Sequence, residues 1–523
     1  MTVDNQSATL AFLTDPANYG CQLSRISTNQ THISVIIFVG SRAFKLKRAV
    51  RLPYVDFSTA DRRLAACYRE LELNRRTAPM LYLAVRRITR EANGSLMFDG
   101  PGELLDAVVE MVRFDEDTLF DKLAVLGQLT PTLMAELACT VAHFHSGAVI
   151  DHRRSGAANM AAVLAMNEKS LAGSGLFAPG TIASLTTRLW RAFDSHVALL
   201  DERGRAGKVR CCHGDLHLRN ICLIEGVPTL FDCIEFNDEV ATIDVLYDLA
   251  FLLMDLWHRG LEPSANLVFN RYTDECDETQ GLILLPFFMS MRATIRAHIA
   301  AEQATQDTGL QRGERAREAS DYAALALRLL APVSPRLVAI GGLSGTGKST
   351  VAAAIAAAIG PAPGARVLAS DRIRKRLCGV AAQTRLPERA YRLEVSERVY
   401  AAMAQNVQTV LNGGHGVVVD GVFDRPAERD RIERVARDAS VPFTGLWLYA
   451  SPEQLLTRIS ERRGDPSDAT VAVVRAQLAR NAPAPNWIKI EASGTISTTV
   501  VRATEALSCQ NPYSVASPNS HGS

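Results

Sequence analysis

The stretch Leu337-Val338-Ala339-Ile340-Gly341-Gly342-Leu343-Ser344-Gly345-Thr346-Gly347-Lys348-Ser349-Thr350 decides the fold of the second half of this 523-residue chain. Its apolar start predicts a buried strand, and Gly-x4-Gly-Lys-Ser after it is the pattern of a phosphate-binding P-loop that opens a helix. The glycines let backbone N–H groups turn towards a phosphate at the positive end of that helix. A glycine-rich turn that only caps a helix is the alternative. The predicted nucleotide-binding residues of this stretch are Gly342, Ser344, Gly345, Thr346, Gly347, Lys348, Ser349 and Thr350.

Carboxylates follow two later apolar runs of the same half. In a P-loop site, Lys348 reaches the β- and γ-phosphates of ATP and Ser349 binds Mg²⁺. Asp371 follows the run Arg366–Ala369, at the strand end that faces the ligand crevice of an open α/β sheet, so it is a candidate to receive or orient an acceptor hydroxyl. Capping of the next helix is the alternative, and one residue can do both. Asp420 ends the next apolar run and is a candidate magnesium ligand, with a simple strand-end turn as the alternative.

Arginines further along the chain are candidates to act on the transferred phosphate. Arg458 and Arg462 precede an Asp-Pro-Ser-Asp turn, and side chains there can close over a phosphate and neutralise its charge. A solvated helix face is the competing interpretation. After Pro332–Pro335, strand and helix patterns alternate, which predicts a parallel sheet covered by helices. We therefore predict an α/β P-loop NTPase fold for this half.

The first half carries a different motif, His213-Gly214-Asp215-Leu216-His217-Leu218-Arg219-Asn220, and Asp232 ends an apolar run shortly after it. In kinase chemistry an Asp receives the proton of the acceptor hydroxyl, while an Asn and a second Asp hold magnesium. We therefore predict Asp215 as the catalytic base, and Asn220 and Asp232 as Mg²⁺ ligands, since their oxygens suit that ion. A plain Gly-Asp turn is the alternative. His213 is predicted to pack and hold the loop.

A small β-rich lobe is predicted before this motif. A strand hairpin leads into the helical pattern Asp61–Arg76, and more strands follow. Lys45 and Lys47 lie on one face of the second hairpin strand, so either can pair with ATP phosphates. Glu70 in the helix is the expected ion-pair partner, and Glu72 is the second choice. Ordinary surface charges on a strand and a helix are the alternative.

Composition limits the class of protein. The chain has 57 Lys and Arg against 56 Asp and Glu residues, so we expect neither nucleic acid nor an anionic membrane as a partner. The apolar stretch Val245–Trp257 is interrupted by Asp248 and Asp255, against a membrane span. The N-terminus lacks the pattern of a signal peptide, and ten cysteines show no metal-like pairing. We expect a cytoplasmic protein with reduced thiols.

These patterns predict four segments. Residues 1–330 form an α+β first domain, 331–336 a linker, and 337–507 the P-loop domain. The remainder, 508–523, is rich in Ser, Asn and Pro and is predicted to be disordered.

The first half resembles the aminoglycoside phosphotransferase branch of the two-lobed protein-kinase-like fold, through His213–Asn220, Asp232, Lys45 and Glu70. The resemblance implies ATP binding between two lobes. The magnesium motif, Phe231-Asp232-Cys233-Ile234-Glu235-Phe236, departs from the Asp-Phe-Gly of protein kinases. A small-molecule acceptor is therefore expected rather than a protein.

The second half resembles the P-loop small-molecule kinases, a family similar to gluconate kinase, chloramphenicol phosphotransferase and zeta-toxin kinases. Three segments carry the resemblance: Gly342–Thr350, Ser370–Leu377 and Asp420–Phe423. It implies ATP-dependent transfer to a hydroxyl, with Asp371 near the acceptor. The order of the two halves is similar to that of uncharacterised bacterial fusion proteins.

Together the motifs predict a bifunctional phosphotransferase that uses ATP and Mg²⁺ to phosphorylate hydroxyls of small molecules. Two alternatives remain at this point. The first half can be a non-catalytic module that senses a nucleotide or metabolite and regulates the P-loop kinase. The second half can instead be a toxin-like kinase of nucleotide sugars.

Overall fold

A computed structural model describes residues 4–19, 26–52, 55–153, 155–276, 278–381, 383–461, 468–480 and 486–509. Arg462 and most of the predicted tail, residues 510–523, lie outside the described residues. The chain divides into two compact units, and each is described by itself. The first consists of Met1–Arg259 and Phe288–Leu327, and the second of Gly260–Phe287 and Arg328–Ser523.

Residues before 331 form twelve strands and eleven helices within the described ranges. The strands are β1 (Ile26–Gln30), β2 (Ser34–Val39), β3 (Arg42–Lys47), β4 (Arg51–Leu52), β5 (Val55–Asp56), β6 (Tyr82–Arg90), β7 (Leu96–Phe98), β8 (Glu103–Val112), β9 (Val209–Cys211), β10 (Ile221–Ile224), β11 (Val227–Leu230) and β12 (Thr242–Asp244). The helices are α1 (Ser7–Thr14), α2 (Ala60–Asn74), α3 (Phe120–Val125), α4 (Pro131–Gly147), α5 (Gly156–Gly173), α6 (Pro179–Arg205), α7 (Asp238–Ala241), α8 (Val245–His258), α9 (Glu262–Glu275), α10 (Leu285–Gln306) and α11 (Gly309–Leu329).

The described residues after 336 alternate between strands and helices. The strands are β13 (Leu337–Gly342), β14 (Arg366–Ala369), β15 (Val417–Asp420), β16 (Phe443–Tyr449) and β17 (Ile488–Glu491). The helices are α12 (Lys348–Ala356), α13 (Ser370–Leu377), α14 (Leu393–Asn412), α15 (Pro426–Asp438), α16 (Pro452–Glu461), α17 (Val471–Ala479) and α18 (Ile496–Cys509).

The small lobe of the first unit is an antiparallel sheet in the order β1-β2-β3-β8-β6-β7. Alternation along β3 divides its side chains between two cores. Phe44 and Leu46 pack with α1, whereas Ala43 packs in the cluster that contains Cys67 of α2. Lys45 and Lys47 share the face of Ala43, which turns both ammonium groups towards α2.

The larger lobe of the first unit is helical. Its central helix, α8, is buried from Val245 to Leu256, and the carboxylates of Asp248 and Asp255 are buried with it. The antiparallel pair of β9 with β12 and the hairpin of β10 with β11 frame the segment that carries Asp215. A sheet lobe and a helical lobe in one unit confirm the predicted two-lobed kinase-like fold.

The second unit is built on a parallel sheet in the order β14-β15-β13-β16-β17, with every neighbouring pair parallel. Its central strand β13 is buried along its whole length, as its apolar sequence requires. The P-loop follows the carboxyl end of β13. On one side of β13 lie β15 and β14, and on the other lie β16 and β17, so the loop is at the middle of the sheet. The predicted α/β P-loop fold is confirmed.

Helix α9 belongs to the second unit, although it precedes residue 330. It lies along the free edge of the edge strand β14. Asn266 Nδ2 donates to Ala365 O at 3.0 Å, and Asn270 Oδ1 accepts from Val367 N at 2.8 Å. The helix thereby satisfies backbone groups that an open sheet edge would expose. The boundary at residue 330 stays a prediction, and the segment 260–287 is the point where compact units and sequence order differ.

One helical stretch of the described residues, Thr279–Gln306, has the length and apolar character of a membrane span. Its most apolar window is 67% buried inside the protein, as expected for the core helix of a globular fold.

Candidate active sites

The loop that carries Asp215 is held by two carboxylates of α8. Asp248 accepts hydrogen bonds from His213 N at 3.0 Å and Gly214 N at 2.9 Å, and Asp255 accepts one from Leu218 N at 3.0 Å. The two acids are seven residues apart, which places them two turns apart on one helix face. They fix both ends of the loop. In the sequence the two acids only interrupt an apolar stretch, and their spacing of seven residues in a buried helix is the one signal of this role.

Glycine is required within this loop. Gly214 has φ +83°, and a Cβ there would lie 3.1 Å from Ile234 Cδ1. His213, which was predicted to hold the loop, is fully buried, and its Nε2 lies 2.9 Å from Phe231 O. Burial lowers the pKa of His213, which keeps the ring neutral and able to donate to that carbonyl.

Asp215 and Asn220 meet at the end of the loop. Asn220 Nδ2 donates to Asp215 Oδ2 at 2.8 Å, and His217 Nε2 lies 3.3 Å from the same oxygen. Burial raises the pKa of Asp215, but the electrostatic effect and hydrogen bond of His217, together with the guanidinium of Arg296, outweigh it, so the net shift is downward. The carboxylate is therefore ionised. Because Asn220 uses its amide nitrogen as a donor here, its amide oxygen is the atom available to a cation.

Lys45 joins the small lobe to the magnesium motif. Its Nζ donates to Glu70 Oε1 at 2.7 Å and also to Asp232 Oδ1. Burial acts to lower the pKa of Lys45, but Asp232 and Glu70 raise it well above its usual value. Asp232 has φ +64°, a conformation that Asp tolerates better than most residues, and its side chain is 41% exposed. Asn220 and Asp232 thus offer oxygen donors that fit Mg²⁺.

Lys47 forms a second, deeper ion pair that was not predicted. Its ammonium is fully buried, pairs with Glu70 and donates to Glu235 Oε1. Burial raises the pKa of Glu235 despite the nearby ammonium groups, whereas the two lysines lower the pKa of Glu70 to about 2 against the effect of burial. Of the two lysines considered from the sequence, Lys45 is the one in contact with Asp232. Glu235 directly follows Asp232-Cys233-Ile234, the three positions that correspond to Asp-Phe-Gly.

The P-loop has the backbone geometry that its glycines permit. Gly342, Gly345 and Gly347 have φ of +139°, +91° and +87°. A Cβ on Gly342 would lie 2.3 Å from Leu448 O, so a side chain is excluded there. Lys348 Nζ donates to Leu343 O at 3.1 Å, across the loop.

Ser349 and Asp420 meet as a magnesium pair requires. Ser349 Oγ, in the first turn of α12, donates to Asp420 Oδ2 at the end of β15. A hydroxyl and a carboxylate in contact at a phosphate loop fit a bound Mg²⁺. Thr350 follows in the first turn of α12, and Thr346 Oγ1 donates to Leu343 O at 2.9 Å within the loop.

Gln477 of α17 is a P-loop contact that the sequence did not indicate. Its Oε1 accepts from Ser344 N at 2.9 Å, and its Nε2 donates to Ser344 Oγ at 3.2 Å. Arg458 donates to Gly494 O at 3.1 Å and to Gly345 O at 3.5 Å, so it lies beside the phosphate loop. Closure of Arg458 over a phosphate stays a prediction.

Asp371 lies in the first turn of α13. Ala369 occupies the N-cap, so Asp371 is inside the helix and does not cap it. Basic residues follow it. Arg372 pairs with Asp274 of α9 at 2.7 Å, and Lys375 Nζ lies 3.3 Å from Asp468 Oδ1. The end of β14 therefore carries a carboxylate among cations that are already paired.

Comparisons with known proteins agree with both halves. Residues 55–282 match the family model described as the phosphotransferase enzyme family, and residues 337–484 match the model described as an AAA domain. Uncharacterized proteins of Mycobacterium tuberculosis H37Rv and Mycobacterium bovis are each 29% identical over 478 residues, covering 90% of this chain and 93% of theirs.

Solved structures with similarity to the chain come from kinases of both kinds. A gluconokinase from Sinorhizobium meliloti 1021 covers 34% of this chain and 99% of its own, at 20% identity and TM-score 0.25. A choline/ethanolamine kinase family protein from Mesorhizobium loti covers 62% of this chain and 98% of its own, at 12% identity and TM-score 0.39. The family matches alone place a kinase-like phosphotransferase domain at residues 55–282 and a P-loop kinase domain at residues 337–484.

Proposed function

We propose that this chain is a bifunctional, cytoplasmic phosphotransferase that moves the γ-phosphate of ATP to hydroxyls of small molecules at two sites. The observation that supports the proposal is that each unit contains a lysine and a carboxylate, predicted to bind phosphate and magnesium, with a defined hydrogen-bond partner. In the first unit these are Lys45 and Asp232, which are in contact. In the second they are Lys348 of the P-loop and Asp420, which is bonded to Ser349.

In the first unit, Asp215 receives the proton of the acceptor hydroxyl. Its lowered pKa keeps it ionised but makes it a weak base, so its main contribution is to orient the hydroxyl. Lys45 holds ATP phosphates, and Glu70 keeps the lysine in place at 2.7 Å. Asn220 and Asp232 would hold Mg²⁺, which neutralises charge on the transferring phosphate.

In the second unit, the loop amides and Lys348 hold the phosphates, and Ser349 with Asp420 would hold Mg²⁺. Asp371 orients the acceptor from the carboxyl end of β14. Arg458, with Arg462, is proposed to act on the transferring phosphate. Both sites work by positioning and electrostatics rather than by a covalent intermediate.

Transfer of labelled γ-phosphate tests the proposal. Wild type, Asp215→Ala, Lys348→Ala and the double variant are incubated with ATP and panels of sugars, amino alcohols and aminoglycosides, and products are identified by mass spectrometry. We expect each single variant to lose a different product and the double variant to lose all of them. If Lys348→Ala abolishes every product and Asp215→Ala none, the first unit is a regulatory module instead.

A further inference from the structure

A pocket of about 250 Å³ lies in the helical lobe of the first unit, next to the candidate base. His217 forms part of its wall, and the Nε2 of His217 lies 3.3 Å from Asp215 Oδ2. A molecule that presents a hydroxyl to Asp215 can therefore extend past His217 into this pocket.

Three guanidinium groups from three elements line the pocket. Arg219 comes from the loop after Asp215, Arg259 follows α8, and Arg296 projects from α10. Arg296 is only 16% exposed, and the Glu318 carboxylate near it is 3.6 Å away, longer than a hydrogen bond. Arg296 thus forms an ion pair with Glu318 that is not a hydrogen bond, and it also contacts Tyr322. A largely buried guanidinium has five N–H donors, so it keeps donors for a further anion.

The two carboxylates in the pocket lining already accept hydrogen bonds from other groups of the protein. Asp255 accepts from Leu218 N and from Arg259 Nε, each at 3.0 Å. Glu318 accepts from Arg315 Nη1 at 2.8 Å. The guanidinium groups outnumber these carboxylates three to two, and the acids do not form an open surface for an ammonium group. Arg219 also lies 3.6 Å from Asp121, outside the lining. An amino sugar would bring its positive charge close to the three guanidinium groups, whereas Asp255 and Glu318 already accept hydrogen bonds from other groups.

This inference rests on the proposed function. We propose that the acceptor of the first unit is a hydroxylated small molecule that carries a carboxylate or phosphate group. Arg296, together with Arg219 and Arg259, binds the anionic group while a hydroxyl faces Asp215. The rings of Phe251 and Tyr322 in the same lining supply apolar faces for the carbon skeleton.

Binding of four compounds with one carbon skeleton tests the proposal. Glucuronate, glucose 6-phosphate, glucose and glucosamine are titrated by calorimetry into the full chain carrying Lys348→Ala, with Mg²⁺ and a non-hydrolysable ATP analogue present. We expect at least one anionic compound to bind, and glucosamine to bind more weakly than glucose. The two anionic compounds distinguish a carboxylate from a phosphate ligand.

Variants assign the binding to this pocket. Arg296→Met should weaken the anionic ligand roughly 10- to 100-fold, as for loss of a charge-assisted hydrogen bond, and Arg296→Lys should restore part of it. Arg219→Met, at a half-exposed position, should weaken it without affecting folding. Arg317→Met, on an exposed face of α11, is the matched control and should change nothing.

Three results would overturn the proposal: no binding of either anion, equal or tighter binding of glucosamine, or anion binding that Arg296→Met leaves unchanged. Failure of the proposed function has a different signature. In that case an anion binds in an Arg296-dependent way, but no γ-phosphate from ATP reaches any compound that binds.

Discussion

At the scale of single residues, the geometry of the first candidate site depends on a buried carboxylate outside the loop that carries Asp215. Asp248 is fully buried, and it accepts hydrogen bonds from two backbone N–H groups of the loop that carries Asp215 and lies 3.1 Å from His145 Nε2. A carboxylate has acceptor capacity for all three contacts, whereas an amide would turn a donor towards one of them. The loop is therefore positioned by charge as well as by packing.

Asp248→Asn should accordingly impair the first site. We expect the free energy of unfolding to fall by about 1–3 kcal/mol, because a buried N–H loses its acceptor. We expect kcat for products that depend on Asp215 to fall by about 10-fold or more through misplacement of the loop. Urea unfolding and product-specific kinetics measure the two effects. Asp194→Asn, at an exposed position of α6, is the control, and equal behaviour of the two variants would contradict this role.

A second residue-scale prediction concerns pH. Burial and the neighbouring Asp424 raise the pKa of Glu428 to about 7, and its Oε2 is buried without a hydrogen-bond partner among the described residues. The unfolded value is about 4.3, so between those pH values the folded state binds more protons than the unfolded state. Stability from this group therefore falls as pH rises from about 4.3 to about 7, and is level above.

Glu428→Gln should remove that dependence. Because the side chain is only part-buried, we expect the variant to gain about 1–2 kcal/mol at pH 8 and little at pH 4.5. Urea unfolding of the full chain at both pH values measures it. Glu505→Gln, exposed on α18, should show no such difference, and a gain independent of pH in Glu428→Gln would contradict the assignment.

At the scale of elements, α9 supplies side-chain partners for backbone groups at the sheet edge formed by β14. Asn266, Asn270 and Asp274 are four residues apart and share one face, which lies along β14. Asn266 bonds to the backbone just before β14, and Asn270 bonds to the backbone of the strand itself. Asp274 pairs with Arg366 of the strand and with Arg372 beside Asp371. The helix therefore stabilises the strand that leads to Asp371, the residue proposed to orient the acceptor hydroxyl.

Asn270→Leu should loosen β14. Val367 N would lose its acceptor, and we expect a loss of about 1–3 kcal/mol in the unfolding of the second unit. Hydrogen exchange of the β14 amides should increase, while that of β13 should change less. Asn412→Ala, exposed at the end of α14, should alter stability by no more than about 0.5 kcal/mol. Unchanged exchange at Val367 would show that the contact is not stabilising.

Local motifs could be predicted from the sequence because all of their functional groups lie within one short segment of the chain. Gly342–Ser349 and His213–Asn220 each carry their own turn, backbone donors and reactive groups, and β3 with α2 follows from simple periodicity. Asp248, Gln477 and α9 could not be predicted in the same way. Their partners lie 34 to 133 residues away in sequence, and only the fold determines which distant polar group satisfies a given backbone atom.

At the scale of the whole molecule, the two compact units do not coincide with the two halves of the sequence, because the second unit includes Gly260–Phe287. Because α9 covers β14, a fragment that starts at Arg328 would leave an edge strand exposed. We expect residues 328–523 alone to be less soluble and to unfold at lower urea concentration than the second unit does in the full chain. Expression, light scattering and urea unfolding measure this. A fragment as soluble and stable as the full chain would show that α9 is dispensable.

The stoichiometry of nucleotide binding shows whether one chain holds two ATP phosphate sites. Calorimetric titration of the full chain with a non-hydrolysable ATP analogue and Mg²⁺ should give two sites per chain. Lys45→Ala and Lys348→Ala should each leave one site, and the double variant none. If the wild type has a single site that Lys348→Ala removes and Lys45→Ala leaves unchanged, the first unit does not bind the nucleotide and the two-site proposal is wrong.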